Sequence, residues 1–458
     1  MTLDAVLARI DDTLPDACDR LLDLLRIASI STDPAYEGDC SRAAAWLVQE
    51  LKSLGFTASA RPTPGHPMVV ARHAGPGRHI LFYGHYDVQP VDPIDLWDRD
   101  PFDPALEETA RGVVIRGRGA ADDKGQLMTF LEACRAWKEV HGTLPGNLTI
   151  FFEGEEESGS PSLIPFMKDN AEELGEASLA LICDTGLFAD KVPAVVTMLR
   201  GLAKIEFTLK AADKDLHSGS FGGAAINPIR VLTRILGQLH DDQGRVTVPG
   251  FYDDVADLPE EVRAQWQGLG FDHAAFLGSV GLSQPAGELD RTPLEQIWSR
   301  PTAEINGIWG GYTGAGFKTV LPAEASAKVS FRLVSHQDPE KILASFKSWI
   351  EAQLPPDVTL DWKAPNGSPA SVMAIDDPAF EAARAALTEE WGVPAAFVGC
   401  GGSIPIAGYF KEILGMDAML IGFGKDDDQI HSPNEKYDLE SFHKGIRSWA
   451  RILDRIAG

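Results

Sequence analysis

The residues predict an α/β fold: a largely parallel sheet covered by helices, with a smaller α+β domain inserted into it. Three observations carry this. At 458 residues the chain exceeds what a single hydrophobic core usually serves, so two or three domains are expected. Short apolar runs bounded by turn residues alternate with helical patterns, as strands buried on both faces do. The middle of the chain has a different rhythm, with strands that alternate apolar and polar residues.

In the first region the strands are HILFYG (79–84), GVVIRG (112–117), LTIFFEG (148–154) and LALICD (179–184); AMLIGFG (418–424) follows late in the chain. Helical patterns fill GQLMTFLEACRAWKEV (125–140) and SLIPFMKDNAEELG (162–175), and the first 30 residues read as amphipathic helix broken by acids and Pro15. The middle offers a half-exposed strand at 202–211 and a helix at 227–240 with proline near its start. A strand at 325–334, a helix at 338–354 and a strand at 358–364 complete it. The expected division is therefore 1–199, an inserted domain 200–368, and a return to the first domain over 369–458, where DDPAFEAARAALTEEWG resumes helix.

Composition excludes some function classes. A hydrophobic share of 44% with 24% charged residues is that of a soluble globular protein. With 41 basic against 67 acidic side chains the net charge is −26, which disfavours nucleic acid or an anionic membrane as partner. Five scattered cysteines without a CxxC argue against a disulfide framework or a thiolate metal site and for a reducing compartment. No secretion signal is evident, and no run reaches the roughly 18 apolar residues of a membrane span. A cytoplasmic location is expected.

Ligands of open α/β sheets bind beyond the carboxyl ends of the strands. His85 and Asp87 follow the first strand, and Asp122 and Asp123 follow the second just before a helix. The cluster EGEEES, with Glu153, Glu155, Glu156 and Glu157, follows the third; Asp184 ends the fourth, and His431 comes after the last. So many carboxylates repel one another unless water or a cation neutralises them. Two imidazoles with several carboxylates and no thiolate suit Zn²⁺, Mn²⁺ or Co²⁺ better than Mg²⁺ or Ca²⁺. A carboxylate bridging two ions would make a two-metal hydrolytic site. Asp87, two residues beyond His85 on an extended chain, can accept the imidazole N–H that a metal leaves free.

The ordered motifs GHYDVQP, GRGAADDKG, EGEEESGS, DLHSGSFGG, GAGFKTVLPAEASAKVSFRL, GGSIP and HSPNEKYDL span nearly the whole chain. Together they resemble the M20 metallopeptidases, most closely the dipeptidase branch with the carnosinase-like enzymes. The resemblance implies a zinc-exopeptidase-like catalytic domain with a ferredoxin-like lid that dimerises, and two divalent ions per subunit, zinc first and manganese or cobalt as alternatives. It assigns His85, Asp122 and Asp184 to one ion, and Asp122, Glu157 and His431 to the other, with Asp122 shared. Glu156 becomes the general base, Asp123 a structural neighbour, and Glu153 and Glu155 are left solvated or supporting. His217 would stabilise the oxyanion in the partner subunit's site, and Arg332, Thr319 and Ser403 would bind substrate, Arg332 through its carboxylate.

A water held by two cations loses its proton near neutral pH, and a free carboxylate can take that proton and pass it to the departing amine. The reaction expected is hydrolysis of dipeptides or short peptides with a free carboxylate. An N-acyl amino acid hydrolase of aminoacylase or desuccinylase type is the alternative, and a non-catalytic peptide-binding relative a remote one. Two further signals are set aside. RGRGAADDKG lacks the third glycine of a dinucleotide fingerprint and puts aspartates where phosphate would lie, and no GxSxG elbow is present.

Overall fold

The computed structural model describes residues 2–365, 367–373, 375–402 and 404–457. The chain forms two compact units: Met1–Thr197 with Met373–Val398 and Tyr409–Gly458, and Met198–Val372 with Gly399–Gly408. The second unit thus also draws on a segment from beyond the inserted stretch.

The first unit is built on a mixed sheet whose centre is parallel. Asn147–Glu153, His79–His85, Leu179–Ile182 and Asp417–Leu420 lie side by side and run the same way. Antiparallel neighbours close both sides, Thr57–Arg61 with Met68–His73 on one and Ala194–Leu199 on the other. The central strands are apolar on both faces because both are covered. Phe82 stacks on Phe130 of helix Lys124–His141 at 3.8 Å between ring centres, and Trp449 of helix Leu439–Ile456 meets both rings edge-on. Gly142, at φ 75°, ends helix Lys124–His141 in the left-handed conformation that favours glycine. Gly112–Arg116 is a strand as expected, but of a separate antiparallel sheet, between Ala105–Thr109 and Lys436–Asp438. Its apolar run is too short to distinguish one sheet from the other.

The second unit is a four-stranded antiparallel sheet in the order Thr302–Gly310, Glu324–Leu333, Gly201–Lys210, Thr359–Lys363. With helices Pro228–Leu236 and Pro339–Glu351 this is the β-α-β-β-α-β ferredoxin-like arrangement. Alternation decides the faces: Ala203, Ile205, Phe207 and Leu209 are buried with Phe331 and Phe346, while the residues between them point outward. Both helices start the same way, with Asn227 or Asp338 accepting a backbone N–H (from Ile229 at 2.9 Å, Glu340 at 2.8 Å) and proline next in the chain. Strand Thr302–Gly310 was not legible in the sequence. A bulge between Ile305 and Gly307 breaks its alternation, and as an edge strand it keeps apolar residues exposed. Among the described residues no helix is long and apolar enough to cross a membrane.

Candidate metal centre

The four parallel strands of the first unit deliver chemistry at one end. His85 is the last residue of its strand, Asp184 follows Ile182 by two, and Glu156 opens the short turn Glu156–Ser158 after Asn147–Glu153. His431 lies on the loop beyond Leu420, with a positive φ of 61°, and Asp122 on the loop before helix Lys124–His141. Ligand atoms of His85, Asp122 and Asp184 lie within 4.8 Å of one another, and so do those of Asp122, Glu157 and His431. The five side chains therefore meet in two sets that share Asp122. One Asp122 oxygen is 3.1 Å from Nε2 of His85, and the other is 2.8 Å from Nε2 of His431.

Other buried groups fix this arrangement. Asp87 accepts the backbone N–H groups of Glu156 (3.2 Å) and Glu157 (3.0 Å), and its carboxylate lies 3.4 Å from Nδ1 of His85. It therefore orients the glutamate turn as well as the imidazole. Asp123 accepts the N–H of His85 at 3.1 Å, and the Gln89 amide donates to Glu157 at 2.7 Å. Glu435 accepts backbone N–H groups of the loop that carries Asp122.

Of the two readings left for Glu153 and Glu155, solvated or supporting, the structure removes the first, since both are buried. Glu155 accepts the N–H groups of His66 and Ser162, each at 3.0 Å, and so braces the turn from inside. Tyr83 donates its hydroxyl to Glu153, whose pKa is pushed up to about 8 chiefly by burial. The sequence signal for this was available: Glu153 ends a strand apolar on both faces.

The electrostatics follow from crowding. Burial pushes Asp184 well up, reinforced by the charges of Asp122 and Asp123, and it raises Glu156 as well. Burial opposes protonation of His85, but hydrogen bonds to Asp122 and Asp87 outweigh it and push its pKa well up. His431 rises to about 10 because Asp122 and Glu157 share its Nε2. Both imidazoles are thus drawn toward the cationic form by excess negative charge. Divalent cations would neutralise that charge, and the donor set of two imidazoles with carboxylate oxygens is one that Zn²⁺, Mn²⁺ and Co²⁺ accept. The residues fit the ions.

The other expected site residues belong to the second unit. His217 and Thr319 are neighbours there: His217 pairs with Val320 across a two-residue ladder, and the N–H of Ser218 donates to the Thr319 carbonyl at 3.1 Å. Both side chains are exposed. Gly219 donates its N–H to Nδ1 of His217 at 3.0 Å, which makes Nδ1 an acceptor and leaves the ring proton on Nε2. Arg332, near the far end of Glu324–Leu333, lines a cavity of about 770 Å³ with Arg200, Thr302 and Glu304. Ser403 lies outside the described residues. Gln89 and Glu435 had escaped notice as site residues, although Glu435 stands only four positions after His431 in HSPNE.

Known proteins resemble this chain in sequence and fold. The Cys-Gly metallodipeptidase of Schizosaccharomyces pombe is 30% identical over 473 residues, spanning 100% of this chain and 99% of its own. The human Beta-Ala-His dipeptidase is 31% identical over 387 residues, 82% of this chain and 75% of its own. Among solved structures, the M20 family metallo-carboxypeptidase Sso-CP2 of Sulfolobus solfataricus superposes with a TM-score of 0.81 at 30% identity, covering 95% of this chain and 98% of that one. Residues 81–455, which include every one of the five clustered side chains, match the model of peptidase family M20/M25/M40. With the pattern matched over most of its length and the acid–imidazole cluster in place, the chain belongs to peptidase family M20/M25/M40.

Proposed function

We propose that this enzyme hydrolyses the amide bond of dipeptides, or of short peptides with a free terminal carboxylate, using two divalent ions at the centre described above. The observation that carries the reading is the sharing of Asp122 between the two ligand sets. His85, Asp122 and Asp184 would hold one ion, and Asp122, Glu157 and His431 the other. When bound, the ions supply Lewis acidity, lowering the pKa of water and polarising the carbonyl.

The chain's own residues do the rest. Glu156 is held at the site through its backbone by Asp87, so its carboxylate is free to take a proton from water and give it to the departing amine. Its raised pKa, caused first by burial, brings it closer to the range in which it can both accept and release that proton. Asp87 keeps the His85 ring and the Glu156–Glu157 turn in register. His217, with its proton on Nε2, is a hydrogen-bond donor for the developing oxyanion, and we assign it to the site of the partner subunit in a homodimer. Arg332 suits the substrate carboxylate, since a guanidinium can bind it through two parallel bonds. Thr319 and Ser403 are assigned to hydrogen-bonding the substrate.

Dimerisation through the inserted unit is supported by its edge strand, where Ile305, Ile308 and Trp309 are exposed together. Zinc is the proposed resident ion, and the cytoplasm, where thiols stay reduced, suits five scattered cysteines with no CxxC among them. Release of free amino acids from a dipeptide panel, against N-acetyl and N-succinyl amino acids, with and without added Zn²⁺ or Mn²⁺, tests the reading. Metal-dependent turnover of the dipeptides is expected. Turnover of the N-acyl compounds alone would move the enzyme to the aminoacylase class, and none at all would refute hydrolysis.

A further inference from the structure

Glu435 is fully buried and Arg118 is 1% exposed, yet neither has been given a part in the chemistry. Their guanidinium and carboxylate meet at 2.8 Å, and the remaining carboxylate capacity is used on backbone. One oxygen also accepts the N–H of Gly119 at 2.9 Å; the other accepts those of Ala121 at 2.9 Å and Asp122 at 3.2 Å. Arg118 is itself immobilised, donating to the Pro90 carbonyl at 3.0 Å and lying over the Trp97 ring at 5.3 Å. Beyond Glu435 the chain enters strand Lys436–Asp438, which pairs with Gly112–Arg116, and the Glu435 carbonyl accepts the N–H of Gly117 at 3.1 Å. The two segments that bear Asp122 and His431 are thus bound at one carboxylate.

We propose that Glu435 is a positioning residue: clamped by Arg118 and three backbone N–H groups, it sets the loop that presents Asp122 against the loop that presents His431, so that both ion sites form as a unit. The inference rests on the two-ion reading above. A carboxylate is the one side chain of this size that accepts from four converging donors; glutamine offers a single acceptor oxygen and turns an NH₂ group toward other donors. Loss of such a supporting partner weakens metal binding by about 10–100-fold in comparable sites.

The test is Co²⁺ titration of the metal-depleted enzyme, followed by calorimetry and by the visible spectrum of the bound ion, for wild type, Glu435→Gln and Arg118→Lys. For Glu435→Gln the expected result is a folded protein by circular dichroism, Co²⁺ affinity about 10–100-fold lower at both sites and an altered visible spectrum. Excess metal should restore much of kcat with little change in KM. Arg118→Lys, which keeps the charge and loses the fork, should fall between. Should Glu435→Gln fail to fold, Arg118→Lys alone decides through the same two readouts. A folded variant that binds two Co²⁺ with wild-type affinity and spectrum overturns the proposal, whatever its thermal stability. Wild-type protein that takes up no Co²⁺ would instead bring down the two-ion reading itself, and this inference with it.

Discussion

Glu156 and Glu157 are adjacent in sequence and differ in what surrounds them. Glu157 receives the Gln89 amide and lies 3.3 Å from His431, so its carboxylate is committed to the cluster. Glu156 is anchored at Asp87 by its backbone N–H. Glu156→Gln should therefore leave the turn, and with it the ion stoichiometry, intact while kcat falls by at least about 10²-fold, the usual worth of a positioned base. Metal analysis together with steady-state kinetics checks this, and a variant of normal kcat would refute the base assignment. At this scale the acids and imidazoles of the cluster were legible because they stand just past apolar runs or before a helix, while the choice of Asp122 over Asp123 and of Glu157 among its neighbours came from the resemblance to the M20 metallopeptidases. Glu435 was not, because a side chain that works by accepting N–H groups of a loop some 310 positions away leaves no local trace, and neither was Gln89, whose amide donates to Glu157, 68 positions away.

Among the elements, helix Pro378–Trp391 repeats the start seen in the inserted unit. Asp377 accepts the N–H of Ala379 at 2.9 Å and is bound twice by Arg78, at 2.9 and 2.6 Å. The Arg78 bond, chiefly, holds its carboxyl below the usual aspartate range. A depressed carboxylate contributes stability that is complete above its unfolded pKa and is lost as pH falls through the lower folded value. Asp377→Ala should cost about 0.5–2 kcal/mol at pH 7, the worth of a cap, and the gap from wild type should shrink below about pH 4. Urea unfolding at both pH values measures it; a gap that widened in acid would contradict the sign. Such Asx-Pro starts were readable in sequence. The sheet membership of Gly112–Arg116 was not, and neither were the short helices Glu260–Gly268, His273–Gly278 and Pro293–Trp298, whose few turns carry too little periodicity.

For the whole molecule, the cluster of like charges links metal and stability. A ligand that binds only the folded state raises stability by RT ln(1 + [L]/Kd), about 2.7 kcal/mol at a hundredfold excess over Kd. Chelation should lower the unfolding temperature and Zn²⁺ or Mn²⁺ should restore it, in a calorimetric scan; an unchanged midpoint would count against binding at the cluster. Trp309→Asp, on the exposed edge strand, should shift the sedimentation of the proposed dimer toward that of a monomer and lower turnover if His217 acts across subunits. A sedimentation profile identical to wild type would remove that strand from the interface.

The segment Gly399–Gly408 gives the division into units a practical meaning. Because it joins the second unit from a later part of the chain, the backbone passes from one unit to the other four times, at 197/198, 372/373, 398/399 and 408/409. Cutting the gene at the first two junctions would excise the ferredoxin-like piece without one of its own segments, leaving those ten residues behind in the other unit's chain. Anyone wishing to produce either half alone, or to exchange the second unit for a foreign one, has to splice at all four places.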